Sequence, residues 1–201
     1  AAAETRKFIK QAGGEATWDR FAEYLAEQIE HKERFVINRS FAAPIEVMYD
    51  MWTKAEHFSQ WLPPTGFTMS FIRADIRVGG SSFYKMTNGS SEHNVTMFGR
   101  AAYLEMNKPH RLVYTQQFCD EHENISRHPM APIWPETMMS KVEFTAEDDH
   151  RTRVTVTWEP FGAVTAEELQ AFMKERGGMT MGWTGSFDKL EAQLEALRKN
   201  Q

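Results

Sequence analysis

Met179-Thr-Met-Gly-Trp183-Thr-Gly-Ser-Phe187-Asp-Lys-Leu190-Glu-Ala-Gln-Leu194-Glu-Ala-Leu197, near the end of the 201-residue chain, decides how the rest is read. Its large apolar residues fall at i, i+4, i+8, i+11, i+15 and i+18, one continuous stripe along an α-helix. Asp188, Lys189, Glu191, Glu195 and Arg198 occupy the other faces. The stripe is leucine in its C-terminal half, which packs well, and Met, Trp and Phe in its N-terminal half. A helix laid across a concave sheet would hold those bulky groups over the hollow. A short helix over 166–176, ending at Gly177-Gly178, is expected just before it.

Working outward, the preceding chain reads as strands. One is expected over 34–41, with Phe35, Ile37, Arg39 and Phe41 on one side. Pro44 opens a short helix over 45–53, because its fixed φ suits a first helical turn. A second short helix, 54–61, stops at Pro63-Pro64. Strands follow over 67–78, 81–87, 95–105 and 111–118, set apart by Gly79-Gly80, Asn88-Gly89 and the Asn107 to Pro109 segment. A polar, proline-containing loop runs over 119–135. A hairpin over 138–145 and 151–158 turns at Glu147, Asp148 and Asp149. The expected class is α+β: a curved antiparallel sheet of about seven strands wrapped on a long C-terminal helix. Two short helices follow its first strand. Residues 34–201 make this domain, and 1–33 form an N-terminal extension.

Composition narrows the function. The formal net charge is −5, so the basic stripe that phosphate binding requires is missing and nucleic acid is not an expected partner. The longest apolar runs are a few residues, too short for a membrane span. The single cysteine, Cys119, allows no intrachain disulfide and fits a reducing, cytoplasmic setting. Fourteen Phe, six Trp and twelve Met can line a cavity as well as fill a core.

Four stretches, in order, carry a resemblance. They are Arg39-Ser-Phe-Ala-Ala-Pro44 leading to Trp52; Glu56-His-Phe-Ser-Gln-Trp61 with Pro-Pro after it; Asp75-Ile-Arg-Val-Gly-Gly80; and Gly178-Met-Thr-Met-Gly-Trp183 leading to Phe187-Asp-Lys-Leu190. From Phe35 to Leu197 the chain resembles the heat-shock-protein-90 ATPase activator homology family, within the START-like, birch-pollen-allergen-like helix-grip (SRPBCC) superfamily. The resemblance implies a ligand cavity. It also implies two alternatives: a cyclase- or hydrolase-like enzyme using the same cavity, or a chaperone-interacting module. Fold alone does not choose among them.

The leading expectation is binding of a small hydrophobic or amphipathic molecule without catalysis. The expected lining is Trp52, Phe58, Trp61, Phe71, Met97, Tyr114, Met138, Trp158, Met179, Trp183 and Phe187, from the helices and one face of each strand. Arg73, Asp75 and Arg77 alternate along a strand; Arg73 and Asp75 are candidate polar anchors, against a plain ion-pair ladder on the solvent face. Asp120, Glu121, His122, Glu123 and His128 match no metal-site spacing, so no metal is expected. No Gly-x-Ser-x-Gly elbow occurs, no cofactor motif is legible, and no catalytic residue is assigned; Asp75, Glu143 and Tyr114 are the acid–base candidates. Met130, Pro132, Ile133, Trp134 and Pro135 are too apolar to sit in water, and are expected over the cavity mouth or at a subunit interface.

In the extension, Trp18, Phe21, Leu25 and Ile29 form an apolar face on a helix expected over 17–31. Gly13-Gly14 and this helix echo Gly177-Gly178 and the C-terminal helix. That is either the relic of a tandem repeat or the ordinary pattern of any amphipathic helix. Either way the face needs a partner, and it is expected to pack on the outside of the domain or against a second subunit, the second case giving a homodimer.

Overall fold

A computed structural model describes residues 33–89 and 95–199. The helix expected over 17–31 and its echo of the C-terminal helix lie outside the described residues. The unit that begins at Phe35 holds seven strands: β1 (Phe35–Phe41), β2 (Phe67–Ala74), β3 (Ser81–Asn88), β4 (Thr96–Asn107), β5 (Arg111–Cys119), β6 (Thr137–Asp148) and β7 (Arg151–Pro160). Helices α1 (Ile45–Thr53) and α2 (Ala55–Trp61) follow β1, and α3 (Ala166–Lys174) and α4 (Arg176–Lys199) follow β7. One antiparallel sheet runs in the order β1-β7-β6-β5-β4-β3-β2. This is the α+β helix-grip arrangement.

The sheet curves where its ladder is interrupted. Register shifts between Phe71 and Arg73, between Tyr103 and Glu105, and between Ala146 and Asp148 each leave one extra residue on the longer side. Such bulges bend a strand and raise its twist. At two of them the extra side chain is apolar and exposed, Ile72 at 54% and Leu104 at 48%, so the alternation is spent turning the strand.

Cross-strand pairing defines the inner face. Tyr84 pairs with Gly99, Gly99 with Phe118, Tyr114 with Ser140, Ser140 with Trp158, and Trp158 with Phe35. Gly99 is required there, because a Cβ on it would lie 2.6 Å from the Tyr84 ring. At one end of this face α1 and α2 fill the concavity. Pro44 is the N-cap of α1, at φ −58° and ψ 152°, one residue before the helical turn it was expected to open, and α1 buries Ile45, Met48, Tyr49, Met51 and Trp52. The rings of Trp52 and Trp61 lie 4.2 Å apart, Phe144 meets Trp52 edge-on, and the Trp61 indole N–H donates to the Met51 carbonyl at 2.9 Å. From α4, Phe187, Leu190 and Leu194 close this core.

Several expected boundaries move; β6 runs on to Asp148, which pairs with Arg151, so Glu147 and Asp148 belong to the strand and not to the expected turn. The strand expected over 67–78 ends at Ala74. Asp75 and Arg77 sit in the turn beyond it, closed by Arg77 N–H to Asp75 O and Gly80 N–H to Arg77 O. The Gly177-Gly178 pair does not end a helix. The break falls at Glu175, whose ψ of 10° leaves the helical region, and both glycines lie inside the first turn of α4. Glycine tolerates helical angles, and at a helix start its lack of a side chain costs little packing.

Candidate functional site

At the other end of the inner face, where α1 and α2 do not reach, a cavity of about 510 Å³ remains between sheet and α4. Strand residues Tyr84, Met86, Met97, Gln116, Phe118, Met138 and Trp158 line it, with Leu62 and Pro64 after α2. α4 contributes Gly178, Met179, Gly182, Trp183 and Ser186. A Cβ on Gly182 would meet nothing within 4 Å, so the missing side chain is itself cavity space. Ser186 turns its hydroxyl away, donating to the Leu62 carbonyl at 2.7 Å.

The loop between β5 and β6 closes one side, through His128, Met130, Ala131, Trp134 and Pro135. The apolar segment expected over the mouth therefore lies along the cavity, although Met130 and Ile133 stay exposed at 67% and 54%. This wall is tied to α3. Trp134 packs on Phe172 with centroids 5.6 Å apart, and Arg127 donates both to the Trp134 carbonyl and to Glu168. Glu168 also completes the capping box of α3 with Thr165.

The polar groups on the wall are mostly neutral. Burial pushes the Tyr84 hydroxyl far above the usual phenol range. Gln116 donates to Ser140 Oγ, and Gln117 donates to Thr137 Oγ1 at 2.9 Å. His128 accepts from the Met130 N–H on Nδ1, its ring lies 4.5 Å from Phe118, and burial pulls its pKa below the ordinary histidine value. It is a neutral imidazole near pH 7. Trp158 and Trp183 meet edge to face at 5.4 Å. Neither indole N–H finds an acceptor among the described residues, which leaves two buried donors unmet.

Of the residues expected to line the site, Met97, Met138, Trp158, Met179 and Trp183 do so. Trp52, Phe58, Trp61 and Phe187 lie instead in the packed core. Tyr114 is on the inner face but sits one pair deeper, its ring 5.9 Å from that of Tyr103. Phe71 stacks on Phe58 and meets Tyr84. The bulge between Phe71 and Arg73 explains why Arg73 does not follow it: Phe71 pairs with Tyr84, Arg73 with Phe83, and the face reverses. Arg73 donates to both carboxylate oxygens of Glu123, at 2.6 and 2.7 Å, and Asp75 accepts from Arg77 at 2.8 Å. Both are surface ion pairs.

Asp120 accepts from the backbone N–H groups of His122 and Asn124 and so shapes the loop. Among the described residues no three His, Cys, Asp or Glu side chains converge. Cys119 is a buried thiol whose pKa burial raises to about 11. Sequence reasoning missed Tyr84, Met86, Gln116, His128 and the Gly178, Gly182, Ser186 stripe. The last was legible as small residues at i, i+4, i+8, beside Met179 and Trp183.

A curved antiparallel sheet gripping one long helix, with a cavity at the end that the short helices leave open, defines a helix-grip domain. The sequence model of the family described as activator of Hsp90 ATPase homolog 1-like protein matches residues 42–195. The chain belongs to that family. Solved structures with this fold include a protein from Arthrobacter aurescens, 21% identical, covering 83% of this chain and 88% of that one with a TM-score of 0.68. Protein Ms6760 from Mycobacterium smegmatis is also 21% identical, with coverage of 82% and 91% and a TM-score of 0.65. DynU16, a protein in the dynemicin biosynthetic locus, is 16% identical; 81% of this chain matches 47% of that one, with a TM-score of 0.55. No curated protein matches the chain in sequence. Among the described residues no helix is long and apolar enough to cross a membrane.

Proposed function

We propose that the domain binds a small, partly apolar molecule in the cavity between its sheet and α4. The observation that carries this reading is the cavity itself. Its volume of about 510 Å³ falls within the range of small-molecule sites, roughly 300–1,000 Å³. Its walls are aromatic rings and methionines, with neutral amides and a hydroxyl to orient a ligand. A cytoplasmic setting belongs to the same reading, and so does a homodimer if the apolar face expected for 17–31 packs on a second subunit and not on the domain itself; mass in solution tests the second.

Trp183 offers the test. Trp183→Ala removes a ring from the roof, and binding of an apolar fluorescent probe should weaken about tenfold, a difference of roughly 1.4 kcal/mol. Trp183→Phe, which keeps a ring, should retain most of the affinity. Unchanged binding in Trp183→Ala would mean that α4 does not roof an open site. A cyclase- or hydrolase-like activity is a second reading, supported by His128 and Tyr84 both lining the cavity; its test is loss of turnover in His128→Ala with probe binding kept. The family's description adds a chaperone-interaction reading, tested by stimulation of a chaperone ATPase.

A further inference from the structure

The full charges that line the cavity are of one sign. Among the described residues its lining holds two carboxylates, Glu136 and Glu175, and no Lys or Arg. Neither carboxylate is paired with a described cation. Of the nearby cations, Arg127 is committed to Glu168 and the Trp134 carbonyl and Lys189 to the Pro63 carbonyl, while Lys174 and Arg176 flank Glu175 in the chain but do not line the cavity. The one ionisable base on the wall, His128, is half-buried with Nδ1 already accepting a backbone N–H. An anionic ligand would therefore enter past two like charges and meet no counter-charge inside. A cation would pass two opposite charges and find the rings of Tyr84, Phe118, Trp134, Trp158 and Trp183 on the walls. The negative face of an aromatic ring attracts ammonium groups, tryptophan most strongly.

We propose that the cavity selects hydrophobic amines, aromatic or alkyl compounds that carry a positive charge at neutral pH, over neutral and anionic molecules of the same shape. This rests on the reading of the cavity as a small-molecule site. Glu136 and Glu175 are both exposed, so their share of the selection is screened by salt, while the share of the rings is not.

The test is calorimetric titration of the full chain with a matched series: 1-naphthylmethylammonium, 1-naphthylmethanol and 1-naphthoate. The amine should bind about tenfold tighter than the carboxylate, with the alcohol between them, a spread of roughly 1.4 kcal/mol. Raising salt to about 0.5 M should narrow the ratio of amine to carboxylate. The double variant Glu136→Gln, Glu175→Gln should narrow it too. Equal or tighter binding of naphthoate overturns the charge selection and leaves the small-molecule reading standing. So does a chain that binds the apolar fluorescent probe but none of the three naphthyl compounds. A chain that binds neither the series nor the probe overturns both readings.

Discussion

At Gly182 a side chain would extend into empty space, since nothing lies within 4 Å of its Cβ position. The residue sits in the interior of α4, where glycine costs about 0.5–1 kcal/mol relative to alanine. Gly182→Ala should raise unfolding stability by about that amount. Gly182→Phe should keep the fold and fill the cavity, lowering probe affinity at least about tenfold; thermal melts and probe titrations read the two effects. Gly99 makes the contrast. Its Cβ would strike the Tyr84 ring at 2.6 Å, so Gly99→Ala forces a ring to move and should destabilise by about 1–3 kcal/mol. Taken singly, neither glycine shows in the sequence what a side chain there would meet. Only the surroundings tell which position borders open space and which leaves its space to Tyr84.

Among the elements, α3 shows how one wall of the site is held. Thr165 caps it, accepting from the Glu168 N–H at 3.2 Å while the Glu168 carboxylate accepts from the Thr165 N–H at 2.9 Å. Thr165→Ala should cost about 1 kcal/mol in urea unfolding. Glu168 has a second partner in Arg127, on the loop that lines the cavity. The Thr165 N–H first, and the Arg127 guanidinium with it, hold the Glu168 carboxyl below the usual glutamate value. A depressed folded-state pKa means that the stabilisation is complete above the unfolded-state glutamate pKa and fades as pH falls through the folded one. The melting-temperature difference between wild type and Glu168→Gln should therefore be full at pH 7 and shrink in acid. A difference that held constant down to strongly acidic pH would show that the charge contributes nothing. The capping residues stand three apart in the sequence, as a capping box does, whereas the Arg127 contact spans 41 positions and has no local signature.

Taken whole, the inner face divides into a packed end and an open end. At the packed end Leu190 is fully buried among aromatic and aliphatic neighbours, and Leu190→Ala should cost about 2–5 kcal/mol. Met97 borders the cavity and already lacks partner atoms on one side, so Met97→Ala should cost less, under about 2 kcal/mol. Urea unfolding of the two variants, with the same m-value, checks the contrast. Similar losses would mean that the open end is as tightly packed as the closed one.

The sequence by itself determined the fold class and the inward face of most strands. Both are carried by local periodicity: the stripe from Met179 to Leu197, and the alternation that puts Met97, Tyr114, Met138 and Trp158 on one side of the sheet. A side chain's face depends on its own strand's pleat, which neighbours in sequence report. How far along that face the cavity lies was decided only in the tertiary structure. Trp52 and Trp61 look as suited to a cavity as Trp158 and Trp183. They fill the core because α1 and α2 fold back onto one end of the sheet and bring the two rings to 4.2 Å. Arg73 was lost to the surface for a related reason, since a one-residue bulge before it reverses the strand's faces. Bulges and helix docking are set by many weak contacts between distant segments, and no single stretch of the chain encodes them.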